Sequence, residues 1–266
     1  MKTELLYGIH PVAEALAAGR RMFREVFVAA DGSSRRVAAV ATVAASKNIP
    51  VRRVTMPQLN RMVGDIPHQG TAARVGPYPL AELTTVLTPA SASGASPLLV
   101  LLDAIVDPQN LGAIIRTALG VGADGVVIPR DRAVGPTPAV SKASAGALEH
   151  VRLVQVTNLS ATIRTLQDHG WWVYGMDRGA DHSVFDIDLT GPLAIVIGGE
   201  EKGIRPLVKQ SCDLLLSIPQ RGPVETLNAS VAAAVAMYEA YRQRGGRAKP
   251  VVGVQRRAAP SSDQKG

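Results

Sequence analysis

The sequence predicts an α/β protein in which a helix-covered parallel sheet follows a smaller α/β domain. The chain has 266 residues, of which 46% are hydrophobic, enough for two packed domains of ordinary size. Apolar runs typical of buried strands alternate with helical patterns along most of its length. Residues 88–97, TPASASGASP, carry no charge and no large apolar side chain, so we expect them to separate the two domains.

The smaller domain is predicted from short helices that alternate with short strands. The helices are expected over 11–18, 35–47 and 57–63, and the strands over 25–29, 51–54 and 70–75. Gly19 ends the first helix, as a glycine after the last helical turn commonly does. We therefore predict a domain at residues 1–83 and a flexible linker at 84–97.

The larger domain is predicted to begin with a strand, because PLLVLL at 97–102 is a continuous apolar run of the kind buried in parallel sheets. Further strands are expected over 125–128, 151–154, 171–176, 192–197 and 214–218, and helices over 111–119, 141–148, 159–168, 205–210 and 230–242. Strands that alternate with helices indicate a parallel sheet with helices on its faces. This domain is predicted to span 98–244, and the unpatterned basic stretch at 245–266 is predicted to be a disordered tail.

The net charge of +7 is distributed unevenly along the chain. Residues 1–95 carry 11 Lys and Arg against 6 Asp and Glu, residues 96–243 carry 12 against 15, and residues 244–266 carry 6 against 1. The basic ends suit an anionic partner such as RNA, although a solvated surface with a basic tail would give the same counts. Phosphate contacts are expected from arginines of the first domain, which are Arg20, Arg21, Arg24, Arg35, Arg36, Arg52 and Arg53.

Composition also excludes several classes of protein. A single Cys rules out an internal disulfide framework and a cysteine-based zinc cluster, and no other metal site is predicted. No apolar run approaches the roughly 20 residues that span a bilayer, and the first residues lack the apolar stretch of a signal peptide. We expect a cytoplasmic protein without a membrane partner.

Three polar segments mark a functional site in the larger domain. The first, DPQNLGAIIR from Asp107 to Arg116, follows the first strand and opens a helix, which leaves Arg116 at the edge of the buried face. A structural salt bridge is the alternative role for this arginine. The second, IGGEEKG from Ile197 to Gly203, ends an apolar strand, where open parallel sheets bind ligands. Paired glycines let a ligand approach the backbone, and Glu200 beside them could accept a hydrogen bond from a ribose or position a base.

The third segment, SIPQRGPVETLNASV from Ser217 to Val231, is a loop stiffened by proline and glycine that leads into the last helix. Thr226, Asn228 and Ser230 cluster at the start of that helix, where one capping residue would suffice. The surplus of polar side chains indicates a binding or catalytic site.

Together, and in this order, the three segments resemble the signature motifs of the SpoU/TrmH class of SPOUT RNA ribose 2′-O-methyltransferases. The strings D-P-x-N-x-G-x-x-x-R, I-G-x-E-x-x-G and I-P-x-x-G-x-x-x-[ST]-L-N-x-S-x-A all occur within 97–243. In the first domain, YGIHPV from Tyr7 and HQGTAA from His68 resemble the RNA-binding domain that bacterial 23S rRNA guanosine 2′-O-methyltransferases carry. That domain belongs to the fold class of kink-turn-binding ribosomal proteins, and simpler tRNA enzymes of the class lack it.

The resemblance implies a sheet whose C-terminal segment forms a trefoil knot, a homodimer, and S-adenosylmethionine as the methyl donor. Carried onto this sequence, it implies cofactor contacts from Gly198, Gly199, Ile218 and Leu227. It implies a reaction centre lined by Asn110, Arg116, Glu200, Asn228 and Ser230. Thr226 stands where the class usually has Ser, which keeps the hydroxyl and adds a methyl group.

The implied function is 2′-O-methylation of a ribose in 23S rRNA, at a guanosine of the peptidyl-transferase region. Methylation of a tRNA guanosine, or of an rRNA adenosine as in resistance enzymes, is the alternative within the class. A non-catalytic RNA-binding protein of ribosome assembly is the alternative outside it.

Two roles are open for Arg116 in this reaction. Proposals for the class make the arginine a base. Guanidinium groups stay protonated in proteins, so we expect Arg116 to clamp a phosphate and stabilise the alkoxide, with Asn228 or Glu200 orienting the ribose.

Overall fold

The computed structural model describes residues 3–30, 34–87, 96–222 and 226–245. Within this part the chain builds two sheets, one of four strands and one of seven. The predicted tail after residue 245 and most of the predicted linker, residues 88–95, lie outside the described residues. No helix of the described part is long and apolar enough to cross a membrane.

The smaller domain is a four-stranded mixed sheet with helices on both faces. Its strands are β1 (Glu4–Tyr7), β2 (Phe23–Ala29), β3 (Val51–Val54) and β4 (Thr71–Val75), in the order β1-β4-β2-β3. Its helices are α1 (Ile9–Ala18), α2 (Arg35–Ser46) and α3 (Met56–Val63). Helices α1 and α2 pack on one face around Leu16 and Val26, and α3 packs on the other around Phe27 and Leu59. Strand β1 was not predicted from the sequence, because its residues, ELLY, show no alternation of apolar and polar side chains.

The larger domain is a seven-stranded sheet in which all neighbouring strands are parallel, which confirms the predicted fold class. Its strands are β5 (Leu98–Asp103), β6 (Gly125–Pro129), β7 (Leu153–Val156), β8 (Trp172–Met176), β9 (His182–Ser183), β10 (Leu193–Gly198) and β11 (Leu214–Ser217), in the order β7-β6-β5-β10-β8-β11-β9. Its helices are α4 (Thr84–Leu87), α5 (Pro108–Gly120), α6 (Pro138–Ala143), α7 (Leu159–Asp168), α8 (Pro206–Ser211) and α9 (Ala229–Gln243).

The apolar run of β5 is explained by its position inside the sheet. All six of its residues are buried, since helices cover both faces of the strand. Val100 belongs to the core that includes residues of α5 and α9, and its neighbours Leu99 and Leu101 belong to the core that includes residues of α7 and α8. This alternation follows from the two-residue period of a strand.

One predicted helix is broken. The helix expected over 141–148 is α6, a turn, and a short 3-10 helix at Ala147–Glu149. The break falls at Ala145 and Gly146, which have φ angles of +53° and +88°. A Cβ at Gly146 would lie 2.6 Å from the side chain of Glu14, so this turn is where α1 packs against the larger domain.

The prediction of a flexible linker at 84–97 is wrong for its first residues. Residues 84–87 form α4, and Val86 is fully buried in the core beside Leu99 and Leu101. Just before it, Ala81 donates its backbone N–H to the carbonyl of Leu153 at 2.9 Å. The linker was predicted from the composition of residues 88–97, whereas the residues just before them carry Leu83, Val86 and Leu87, which all pack against this core.

A buried ion pair joins the two domains. The side chain of Arg21 is fully buried, and its Nε and Nη2 donate to the two carboxylate oxygens of Glu149 at 2.7 and 3.1 Å. Its Nη1 donates to Glu4 at 2.6 Å. Beside it, Arg20 donates to the carbonyl of Val151 at 2.6 Å, and both guanidinium groups lie within 5.4 Å of the Tyr78 ring centre. The prediction that Arg21 contacts RNA phosphates is wrong, because its side chain is fully buried in the domain contact. Arg20 is half-buried, and its Nη1 and Nη2 donate to backbone carbonyls at this contact.

Candidate active site

A cavity of about 420 Å³ opens at the carboxyl ends of three adjacent strands, β8, β10 and β11. Met176 and Asp177 reach it from the end of β8, Gly198 from the end of β10, and Leu216 and Ile218 from β11 and the residue after it. Carboxyl ends of strands are where open parallel sheets bind ligands, and this volume lies within the range of about 300–1,000 Å³ typical of small-molecule sites.

The paired glycines at the end of β10 are required by the chain's own backbone. A Cβ at Gly198 would lie 2.1 Å from the carbonyl carbon of Gly203, and one at Gly199 would lie 2.6 Å from the carbonyl oxygen of Ala104. The loop after β10 therefore folds back on itself and presses against the end of β5. Both glycines also line the cavity, so their backbone is accessible to a ligand on the open side.

Asp103 fixes the far end of this loop. Its carboxylate is fully buried and accepts hydrogen bonds from the backbone N and the Nε of Arg205, both at 2.7 Å. Arg205 immediately precedes α8, so one carboxylate at the end of β5 anchors the start of α8 and limits the movement of the loop between them. Asp103 was not predicted as a site residue, although its place as the one acidic residue at the end of an apolar strand could have indicated it.

Glu200 lies at the edge of the cavity and is held by amide groups from two helices. Its Oε1 accepts hydrogen bonds from Asn110 Nδ2 and from Asn228 Nδ2, both at 2.5 Å. Asn228 Nδ2 also lies 3.1 Å from Asn110 Oδ1, which ties the two amides together. Asn228 Oδ1 in turn accepts from the backbone N and the Oγ of Ser230, at 2.9 and 2.6 Å. Four of the five predicted reaction-centre residues therefore form one hydrogen-bonded cluster.

Two helix N-termini lie near the Glu200 carboxylate. Asn110 lies in the first turn of α5, and Asn228 caps α9, so two helix N-termini are close to the carboxylate. Helix N-termini carry a partial positive charge that stabilises anions. The second carboxylate oxygen, Oε2, has no hydrogen-bond partner among the described residues and is available to a ligand.

Arg116 does not belong to this cluster. It lies six residues after Asn110 on α5, which places it about 9 Å further along the helix axis. Its side chain is exposed and forms no ion pair with any residue the structure describes. The structural salt bridge considered from the sequence is therefore not observed there, and the cation is available to a ligand.

All four predicted cofactor contacts line the cavity. Gly198 and Gly199 contribute backbone to its lining, while Ile218 and Leu227 contribute apolar side chains. Thr226, the residue that replaces the usual Ser, lies beside Leu227 at the same cavity.

The cavity lining also contains an ion pair that was not predicted from the sequence. Asp177 Oδ2 lies 2.7 Å from Lys209 Nζ. Burial alone would raise the pKa of Asp177, but hydrogen bonds from Lys209 and from the Gly179 amide outweigh it and hold the pKa below its usual value. Asp177 could have been identified from the sequence, because it directly follows a predicted strand.

The remaining predicted RNA contacts of the smaller domain are all exposed, and they are Arg24, Arg35, Arg36, Arg52 and Arg53. Arg52 forms an ion pair with Glu25 at 2.8 Å. Within the described residues no group of three or more His, Cys, Asp and Glu side chains could hold a metal ion.

The fold and the site define an α/β enzyme with a small-molecule cavity beside a positioned carboxylate. Comparison with known protein families makes the class specific. Residues 97–238 match the SpoU rRNA methylase family, and residues 5–81 match the domain described as RNA 2′-O ribose methyltransferase substrate binding. The chain belongs to the SpoU rRNA methylase family.

Individual relatives agree with this assignment. The 23S rRNA (guanosine-2′-O-)-methyltransferase RlmB of Xylella fastidiosa is 39% identical over 243 residues, which are 91% of this chain and 98% of the relative. An uncharacterised tRNA/rRNA methyltransferase of Synechocystis is 40% identical over 91% of this chain, which spans only 63% of that longer protein. Among solved structures, the SpoU methyltransferase AviRb of Streptomyces viridochromogenes in complex with AdoMet has a TM-score of 0.75 and 27% identity, over 90% of this chain and 89% of AviRb.

As a member of this family, the chain is an RNA 2′-O-ribose methyltransferase whose methyl donor is S-adenosylmethionine. The cavity fits such a ligand. Ile218, Leu216 and Leu227 offer an apolar surface for an adenine ring, and the accessible backbone at Gly198 and Gly199 offers polar groups for the rest. The non-catalytic alternative considered from the sequence is wrong.

Proposed function

We propose that this enzyme methylates the 2′-oxygen of a guanosine in the peptidyl-transferase region of 23S rRNA. The observation that carries the proposal is the cluster in which Asn110 and Asn228 hold Glu200 at the edge of the cofactor cavity. The N-terminal substrate-binding domain supports a large RNA as the substrate. The guanosine and 23S rRNA follow from the relative named RlmB, whose similarity extends through both domains.

The main role of the cluster is to position the ribose hydroxyl relative to the methyl donor. A ribose hydroxyl is a weak nucleophile, and methyl transfer requires it to lie in line with the donor. Glu200 Oε2 accepts a hydrogen bond from the ribose 2′-hydroxyl and takes up its proton as the oxygen is methylated, and the two amides keep the carboxylate from rotating away. S-adenosylmethionine supplies the methyl group already activated on a sulfonium.

Arg116 supplies positive charge to the substrate. As an exposed cation without an ion-pair partner among the described residues, it can form a bidentate contact with a phosphate next to the target. The same charge stabilises negative charge that develops on the ribose oxygen. A base role would require a neutral guanidine, which proteins do not readily provide.

The cofactor contacts divide between backbone and apolar side chains. Gly198 and Gly199 contribute backbone groups, and Ile218 and Leu227 hold the adenosine against the cavity wall. The close packing of the loop after β10 fits the trefoil knot expected for the family, in which this part of the chain threads a loop.

A homodimer is the assembly that the surface favours. Leu119 on α5 and Val231 and Tyr238 on α9 are all at least 40% exposed. Val231 and Tyr238 lie seven residues apart and so share one face of α9, and the Tyr238 hydroxyl lies near Gly120. A second copy covering this apolar surface would remove it from water. A cytoplasmic location agrees with an RNA substrate.

The proposal is tested by offering purified protein and S-adenosylmethionine labelled on its methyl group to 23S rRNA and to bulk tRNA in parallel. We expect label in 23S rRNA, at one guanosine 2′-oxygen located by mapping resistance to alkaline cleavage. Label in tRNA alone, or on an adenosine, would favour the alternatives within the class. Size-exclusion chromatography with light scattering tests the dimer.

A further inference from the structure

A second concave surface lies on the smaller domain, far along the chain from the active-site motifs. It is a groove of about 420 Å³ between the open part of the four-stranded sheet and α3. The residues that line it are Glu25, Phe27, Arg52, Val54, Gln58, Arg61, Met62 and Arg74. We refer to these eight residues as the arginine groove.

The register of the sheet brings the charged residues of the groove to one face. Phe27 pairs with Arg52 across β2 and β3, and Glu25 pairs with Arg74 across β2 and β4. Since side chains alternate between faces, Glu25 and Phe27 point the same way, and so do their partners. Arg61 joins them from α3, one turn after Gln58.

The groove carries three arginines against one glutamate. Arg52 and Arg74 lie 2.8 and 3.4 Å from Glu25, and their side chains are 69% and 47% exposed. Arg61 is exposed and has no ion pair with any described residue. One carboxylate therefore neutralises part of the charge and orients two guanidinium groups, and the third is left uncompensated.

The floor of the groove is apolar. Phe27 lies beneath Arg74, with the guanidinium 5.9 Å from the ring centre, and Val54 and Met62 complete the surface. Guanidinium groups above an apolar floor suit a phosphodiester chain. The phosphates can accept hydrogen bonds from the guanidinium groups, while the sugars pack against the apolar side chains.

The placement of the groove leaves it open to a large ligand. Helix α1 packs on the opposite face of the sheet and contacts the larger domain at Gly146. The buried Arg21–Glu149 pair holds the domains together on that side. The arginine groove thus faces away from the domain contact and keeps a fixed position relative to it.

We propose that the arginine groove binds the phosphodiester backbone of the RNA substrate. The proposal rests on the proposed function for the identity of that RNA, and it assigns the contact to groups that the charge count alone did not select. Two of its three cations, Arg61 and Arg74, were not among the arginines expected from the sequence to contact RNA.

The first test removes the uncompensated cation. The probe is an in vitro transcript of the peptidyl-transferase region of 23S rRNA, with its Kd measured by fluorescence anisotropy over a salt series. We expect Arg61→Ala to raise the Kd roughly three- to tenfold and to reduce the slope of log Kd against log salt by about 1. Arg164→Ala is the matched control, since Arg164 is also an exposed arginine on a helix, α7 of the larger domain.

The second test changes the charge in the opposite direction. Glu25→Gln removes the only carboxylate of the groove but keeps a side chain that can accept hydrogen bonds from Arg52 and Arg74. We expect it to lower the Kd for the transcript severalfold and to steepen its dependence on salt. A purely structural role of Glu25 would instead weaken binding or leave it unchanged.

Kinetics separate this site from the reaction centre. Arg61→Ala should raise the KM for RNA and leave the kcat and the Kd for S-adenosylmethionine unchanged. The proposal is overturned if Arg61→Ala binds the transcript as tightly as Arg164→Ala does, or if Glu25→Gln fails to tighten binding. Because binding is measured without turnover, an inactive wild-type protein would contradict the proposed function and leave this measurement interpretable.

Discussion

Glu200 is where residues from three distant parts of the sequence meet. Asn110 and Asn228 stand 118 positions apart, yet both donate to the same carboxylate oxygen. The sequence showed that these residues are chemically suited to a site, and the resemblance to a family supplied their roles. Their hydrogen-bonded arrangement could not be predicted from spacing, because it depends on how α5 and α9 pack.

Replacing the carboxylate tests the cluster directly. We expect Glu200→Gln to lower the kcat about 100-fold, because the neutral amide cannot orient a hydroxyl as a charged acceptor does. The measurement is initial-rate methylation at saturating RNA and cofactor. Glu82→Gln, which removes an exposed carboxylate elsewhere on the chain, should be as active as the wild type. Equal rates for the two variants would exclude Glu200 from the reaction centre.

Arg116 can be tested by a change that keeps its charge. Lysine retains the positive charge but loses the planar fork that contacts phosphate through two donors. We expect Arg116→Lys to reduce kcat/KM for RNA at least tenfold, as measured by methylation at subsaturating RNA. Turnover close to that of the wild type would count against the phosphate clamp. Arg164→Lys serves as the control.

Cys212 offers a prediction about reactivity. Burial, with help from the charges of Asp213 and Asp103, raises the pKa of the Cys212 thiol from 9.0 to about 12. Thiolates are the reactive form, so the folded protein should resist iodoacetamide at pH 8, while the denatured protein is alkylated. Between pH 9 and pH 12 the unfolded thiol ionises and the folded one stays protonated, so this group favours unfolding as the pH rises through that window. Mass spectrometry detects the adduct, and rapid labelling of the folded chain would contradict the burial.

At the scale of elements, strands were predicted well and turns poorly. The run LLVLLD of β5 is apolar because the strand is buried on both faces, so composition alone identifies it. The break at Ala145 and Gly146 follows from the packing of α1 against that turn, which is a contact between domains. Local patterns do not contain such contacts, so the sequence predicted one continuous helix there.

The packing of α5 against α6 depends on a residue without a side chain. A Cβ at Gly112 would lie 2.5 Å from the Cβ of Ala143 and 2.8 Å from the backbone N of Ser144. We expect Gly112→Ala to destabilise the protein by about 1–3 kcal/mol, because backbone on both sides must shift. It should also reduce activity, since Asn110 lies on the same helix. Urea unfolding measures the first effect.

The control for this substitution is Gly135→Ala. A Cβ at Gly135 has no neighbour within 4 Å, so the free energy of unfolding should stay within about 0.5 kcal/mol of the wild type. Equal free energies of unfolding for the two alanine variants would contradict the close approach of α5 to α6 at Gly112.

At the scale of the whole molecule, the sequence predicted two basic ends around an acidic centre but not how the domains meet. Arg20 and Arg21 looked like surface charges because nothing local distinguishes them from Arg24. Their partners, Glu149 and Val151, lie about half the chain away. Charge counts therefore agreed with an anionic ligand without establishing one, and the fold was needed to divide the arginines between structure and binding.

The domain contact makes a prediction about stability. Glu149→Gln leaves the fully buried Arg21 with less compensating charge, and we expect a loss of about 3 kcal/mol in the free energy of unfolding. Glu14→Gln removes the exposed pair with His150 in the same contact and should cost less than about 1 kcal/mol. Chemical denaturation followed by tryptophan fluorescence compares them. A smaller loss for Glu149→Gln than for Glu14→Gln would show that the buried pair does not hold the domains.

The buried contact through Arg21 also bears on how a target nucleotide is chosen. Because the two domains are joined in one fixed orientation, the arginine groove and the reaction centre lie at a fixed distance from each other. RNA bound at the groove would then present to the reaction centre only a ribose at that distance. Such an enzyme selects by distance through space, so a nucleotide far away in the RNA sequence qualifies if folding of the RNA brings it to the right span. We expect a short fragment with the correct bases but without that folded shape to be a poor substrate.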